Sequence, residues 1–70
     1  MSFLKINGKE QEFTDSKMPA TMADLLSILG VDSTAIVAEL DGQIIERKNF
    51  QITPLHAGQN IELVRFVGGG

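Results

Sequence analysis

Apolar positions change their spacing twice in the first half of the chain, and each change predicts an element. Over "FLKIN" (residues 3–7), Phe3, Leu4 and Ile6 stand around the polar Lys5, near the period of two that marks a half-buried strand. Asn7-Gly8 follows, a pair that tolerates positive φ at both centres of a tight hairpin turn. "EQEFT" (10–14) is then the return strand, with Phe13 as its main apolar contact, and the polar "DSK" reads as loop. From Thr21 the spacing becomes helical: Met22, Leu25, Leu26 and Leu29 recur at i, i+3, i+4 and i+7 and form one stripe. Thr21 with Asp24 fits a helix start, and Gly30 stands where a left-handed residue ends a helix. A helix this short is not stable alone, so its stripe must pack on a sheet.

The second half returns to strand spacing. "AIVAEL" (35–40) is a mostly apolar strand, Asp41-Gly42 a second hairpin turn, and "QII" (43–45) its return. "ERKNF" (46–50) reads as a short charged helical turn pinned by Phe50, and "TPLHAGQN" as loop with Gly58 at positive φ. "IELVRFV" (61–67) is the last strand. Hairpin, helix, strand pair, turn and strand together predict an α+β domain over residues 1–67, with one helix across one face of a mixed sheet. Residues 68–70 form a glycine tail beyond it.

The last strand poses the sharpest question. Ile61 and Leu63 face one way and Glu62 the other. If the period of two holds, Val64 and Phe66 share the Glu62 face and form an apolar patch open to a partner. The alternatives are a β-bulge near Val64 that returns Phe66 to the core, or a core that has already ended by Arg65.

Composition narrows the function more than it defines it. At 70 residues the chain is one domain, and a domain of this size buries only about 60% of its unfolded surface. That leaves little room for a deep catalytic cleft, so the chain reads as a module that enzymes act on and not as an enzyme. A net charge of −3 with scattered Lys and Arg argues against nucleic-acid binding. No apolar run is long enough to cross a membrane, and the N-terminus lacks a signal-peptide core. With no cysteine, the domain stands on packing alone, as expected of a cytoplasmic protein. The single histidine, His56, lies in a polar loop without a nominated partner, so no metal site is expected; Arg47-Lys48 reads as a solvated face.

One distinctive reactive group remains, the main-chain carboxylate of Gly70. A carboxylate resists nucleophiles because its leaving group is poor. Adenylation with ATP supplies a good one, and a sulfur nucleophile then displaces AMP to leave a thiocarboxylate. Gly68, Gly69 and Gly70 lack Cβ atoms and can thread a narrow channel with their backbone against its walls. The competing reading is a loose tail without function.

Three stretches, "INGKEQEF", "TMADLLSILG" and "AIVAELDGQIIERKNF" running on to "TPLHAGQNIELVRFVGGG", resemble the ubiquitin-like sulfur carriers, most closely the thiamine-biosynthesis branch, the ThiS carriers. The likeness covers essentially the whole chain, and "IELVRFVGGG" is its most specific part. "AGQN" lacks an acidic residue common in that turn, and Phe50 stands where relatives often have Trp. The resemblance implies a β-grasp fold with the last strand central, beside the first and parallel to it. It implies adenylation of Gly70 by a ubiquitin-activating-like adenylyltransferase that consumes ATP, with no cofactor bound by the carrier itself. Sulfur would come from a cysteine desulfurase relay and pass to thiazole synthase. Gly69 and Gly70 match the family's diglycine, and Val64, Phe66 and Val67 fall at its partner-docking patch. Alternatives are the small subunit of molybdopterin synthase, a β-grasp adaptor with an inert tail, and a modifier that is conjugated to lysine.

Overall fold

The computed structural model describes residues 1–66. Among these, the strands are β1 (Ser2–Ile6), β2 (Lys9–Phe13), β3 (Ile36–Leu40), β4 (Gln43–Ile45) and β5 (Asn60–Arg65), and the helix is α1 (Met22–Leu29). Short 3-10 turns lie at Asp15–Lys17, Ser33–Ala35 and Arg47–Ile52.

Both hairpins turn as their dipeptides dictate. Asn7 and Gly8 have φ of 51° and 83°, and Asp41 and Gly42 have 49° and 88°, which matches the right-handed twist of the flanking strands. The first turn consumes only those two residues, so β2 begins at Lys9, one residue earlier than its apolar pattern indicates. The helix is bounded as predicted. Thr21 Oγ1 accepts the Asp24 N–H at 3.2 Å. At the other end Gly30 sits at φ 69°, while Gly30 N–H donates to Ser27 O and Val31 N–H to Leu26 O, a Schellman closure.

Short turns shift further boundaries from the sequence reading, through local backbone bonds such as Lys17 N–H to Thr14 O and Asn49 N–H to Glu46 O and, at Asp32, through a side-chain cap. "DSK" forms a 3-10 turn instead of irregular loop. Ala35 belongs to the Ser33–Ala35 turn, which Asp32 caps by accepting from Thr34, so β3 starts at Ile36. The turn around Phe50 runs on to Ile52.

The sheet order is β2-β1-β5-β3-β4, with β1 parallel to β5 and every other pair antiparallel. β5 is thus the central strand, flanked by β1 and β3. Leu25 and Leu26 of α1 pack against Leu4, Ala38 and Ile61 of the three central strands, and Phe50 closes the same core; all are buried. This is the β-grasp arrangement, ubiquitin-like, with one helix across one face of the sheet. Among the described residues the opposite face carries no helix. No helix among the described residues is long and apolar enough to cross a membrane.

Candidate functional site

The decisive geometry is the end of β5. Its register against β3 runs without interruption from Leu40↔Ile61 through Val37↔Val64 to Ile36↔Arg65. There is no bulge. Strict alternation therefore sends Ile61 and Leu63 toward α1 and Glu62, Val64 and Phe66 toward the open face. Val64 is 54% exposed and Phe66 45%. Arg65 follows the alternation to the helix side but emerges exposed, so the core itself ends at Leu63. Continued alternation and an ended core hold together; only the bulge is excluded.

Phe66 is fixed from one side, its N–H donating to Ala35 O at 3.1 Å. Val37, directly opposite Val64, adds to the apolar surface, and Ile44, opposite Glu39, lies one row further along the same face. Neither was singled out from sequence. The signal was present: within "IVAEL" Val37 stands between two positions of opposite orientation, Ile36 and Ala38, both buried. Phe3 also faces this side but sits at the far end, where its carbonyl accepts the Gly58 N–H. Between the two ends Glu39 and Glu62 stand directly opposite each other, so the patch is apolar at its tail end and acidic behind it. Behind Arg65, on the helix side, Ile6, Leu29, Val31, Ile36 and Leu63 line an open groove of about 360 Å³.

A second feature was legible only as a turn. The Asn7 side chain reaches across to β5, where its Oδ1 accepts the Leu63 N–H at 2.7 Å and its Nδ2 donates to Leu63 O at 3.2 Å. No spacing rule announces a contact across 56 residues.

The remaining candidates stay apart from this end. His56 is exposed in its loop, and its main-chain N–H donates to Gln59 Oε1. Lys48 pairs with Glu46 at 3.3 Å in solvent, a contact that contributes little. Among the described residues no group of three His, Asp or Glu is placed to hold a metal ion. Val67, Gly68, Gly69 and Gly70, which sequence reading assigned to docking, threading and modification, lie outside the described residues.

Comparison with known proteins gives this geometry a family. The ThiS family model matches residues 4–70. The chain belongs to the ThiS family. A sulfur carrier protein ThiS from Bacillus subtilis is 31% identical over 67 residues, covering 96% of this chain and 98% of that one. A thiazole synthase from Paramagnetospirillum magneticum is 36% identical over the same length, but the ThiS-like chain spans only 20% of it. Among solved structures, the crystal structure of ThiS from Geobacter metallireducens superposes with a TM-score of 0.82 at 32% identity, covering 97% of this chain and 99% of that one. A solution structure of a thiamine biosynthesis protein from the same organism gives 0.74 at 34% identity, over 100% of this chain and 88% of the other.

Proposed function

We propose that this ThiS-family chain works as the sulfur carrier of thiamine biosynthesis, holding sulfur as a thiocarboxylate on Gly70. The reaction proceeds in two steps on the partner enzyme. The Gly70 carboxylate attacks the α-phosphorus of ATP, forming the acyl-adenylate and releasing pyrophosphate. A hydrosulfide-level sulfur then attacks the acyl carbon; the carbon–sulfur bond forms as the carbon–oxygen bond to AMP breaks, and AMP leaves. The cysteine desulfurase relay supplies that sulfur as a persulfide, which a thiol reductant cleaves to hydrosulfide as the thiol and the carrier cysteine of the relay become a disulfide; a ubiquitin-activating-like adenylyltransferase carries out both steps on Gly70, and thiazole synthase accepts the product. The carrier is a substrate of these enzymes and supplies no catalytic side chain of its own. It binds no cofactor, and the compartment is the cytoplasm.

The observation that carries this reading is the uninterrupted register of β5, which leaves Val64 and Phe66 exposed on the strand that leads into the glycines. A partner that grips this patch holds the base of the tail. Gly70 lies four residues beyond Phe66, a maximal reach of about 13 Å, so gripping one places the other within a confined radius. Val67 continues the same segment, and Gly68 and Gly69 are the residues least obstructed by a channel wall. The thiazole synthase relative, of which this chain matches one-fifth, supports thiazole synthase as the sulfur acceptor.

The test is intact mass after incubation with ATP, a sulfide source and the activating enzyme of the same cell. The expected result is a gain equal to sulfur minus oxygen, absent when Gly70 is deleted or one residue is appended after it. An unchanged mass with an activating enzyme shown to be active refutes the proposal.

A further inference from the structure

We infer that Asn7 is a positioning residue for the reaction at Gly70: its carboxamide holds the end of β5 on the side where β1 has run out. The inference rests on the thiocarboxylate reading above.

The strand pairing defines the problem that Asn7 solves. Along β5, Phe66 N–H donates to Ala35 O, and Val64 lies two residues back in the same register opposite Val37. Main-chain groups of an antiparallel strand alternate sides, so Val64 and Phe66 bond toward β3 while Leu63 and Arg65 point toward β1. β1 ends at Ile6, level with Ile61, and the chain then turns away at Asn7. The Asn7 N–H still closes the parallel ladder by donating to Ile61 O at 2.8 Å. Its side chain then supplies the next rung, taking both the N–H and the C=O of Leu63. One residue thus extends the ladder past the end of its own strand. Among the described residues this carboxamide is the last partner that β5 has on that side; from Leu63 onward the other partner is the β3 side alone.

The segment so held is the one that presents Val64 and Phe66 and leads to the tail. A strand tethered along one edge can roll about that edge, which separates the orientation of the patch from the direction in which the tail leaves. The clamp is not needed for the turn, because glycine adopts the left-handed conformation at position 7 with less strain. Both bonds are solvent-exposed, so water replaces them readily and their share of global stability is small. What they contribute is local order next to the docking patch.

The variants follow from this geometry. Asn7→Gly keeps the turn and removes both bonds. Asn7→Asp keeps the acceptor for Leu63 N–H, loses the donor, and places a carboxylate against Leu63 O. The full chain is assayed by ATP-dependent pyrophosphate release with the activating enzyme, varying carrier concentration, and Leu63 amide exchange is followed by NMR. Asn7→Gly is expected to raise KM for the carrier about tenfold with kcat within about twofold, with Asn7→Asp between it and the parent. Combined with Phe66→Ala, its effect on KM is expected to be less than additive, because both act through one patch. Faster Leu63 exchange with unchanged KM overturns the inference, as does a KM rise that merely tracks loss of folded protein in both variants. A parent chain that releases no pyrophosphate instead overturns the thiocarboxylate reading itself, so the two failures are distinguishable.

Discussion

Truncating Phe66 separates docking from folding. The side chain is 45% exposed, in contrast to 3% for Phe50, an aromatic ring of the core. A phenylalanine buries on the order of 200 Å² when fully covered, so roughly 90 Å² of Phe66 remains for a partner to take. At about 25 cal/mol per Å² that area is worth about 2 kcal/mol, or about thirtyfold in Kd. The roughly 110 Å² that already lies against its own chain contributes about 2 kcal/mol to folding once the compactness of the unfolded chain is allowed for, a fall in Tm of about 8–16 °C for a domain of this size. Phe50→Ala, by contrast, should cost about 3–5 kcal/mol and leave little folded protein. Urea titration of the free domain and calorimetric titration against the activating enzyme measure the two effects on the same samples. The expected pattern for Phe66→Ala is binding weakened about thirtyfold in a domain that still folds, with a stability loss clearly smaller than that of Phe50→Ala. A stability loss matching that of Phe50→Ala would place the ring in the core and refute the alternation of β5. Parental affinity with a normal fold would show that the exposed patch is not where the enzyme docks.

Two further predictions concern what supports this end of the sheet. The Asp32 carboxyl is held below its ordinary value of 3.8, first by the Thr34 hydroxyl and then by the Thr34 N–H, both donating to it. A lowered folded-state value means the contribution is complete above the ordinary carboxylate range and lost as pH falls through the folded value. Acid should therefore loosen the Ser33–Ala35 turn, and with it the Ala35 carbonyl that anchors Phe66; Thr34 and Phe66 amide shifts titrating together below about pH 4 would confirm it, and a Phe66 amide that ignores pH would not. Gly30→Ala tests backbone alone, since a Cβ there meets nothing within 4 Å but the residue sits at φ 69°. It should cost about 1–2 kcal/mol in urea titration without altering pyrophosphate release at saturating carrier, and a neutral effect would mean the helix end is not held left-handed in solution.

The legible parts of this molecule are those written in short-range periodicity. The stripe of Met22, Leu25, Leu26 and Leu29, bounded by Thr21 and Gly30, fixes helix, face and ends within ten residues of sequence. Asn7-Gly8 and Asp41-Gly42 fix two hairpins because only certain residues accept positive φ twice in succession. The fate of Val64 and Phe66 was not legible, because "ELVRFV" fits both a bulged strand and a straight one. The pairing that decides between them, with β3, lies more than twenty residues away in sequence. The Asn7 carboxamide was hidden for the same reason: as a turn residue it needs no further explanation, and its second role exists only once β1 and β5 are parallel neighbours. The strand order itself came from family resemblance and not from periodicity, since the same five strands and helix could be threaded in several orders.

The placement of β5 explains why the tail is carried by this strand and not by another. An edge strand such as β2 or β4 is hydrogen-bonded on one side and frays at little cost. A tail drawn into an enzyme from an edge would therefore pull its own base loose before its docking patch engaged. β5 is bonded to β1 and β3 along its buried part and carries the fully buried Ile61, so its exit can open only if the core opens with it. Among the described residues the β1-side bonds run to Leu63 and the β3-side bonds to Phe66, and in the sequence glycine follows from position 68. Stiff strand, one-sided strand and glycine succeed one another within eight residues, from Leu63 to Gly70. Under the sulfur-carrier reading this gradient lets one short segment both register a docking patch and deliver a chain end. Moving the patch one residue along β5 would turn it toward α1, so docking and delivery are tied to a single register.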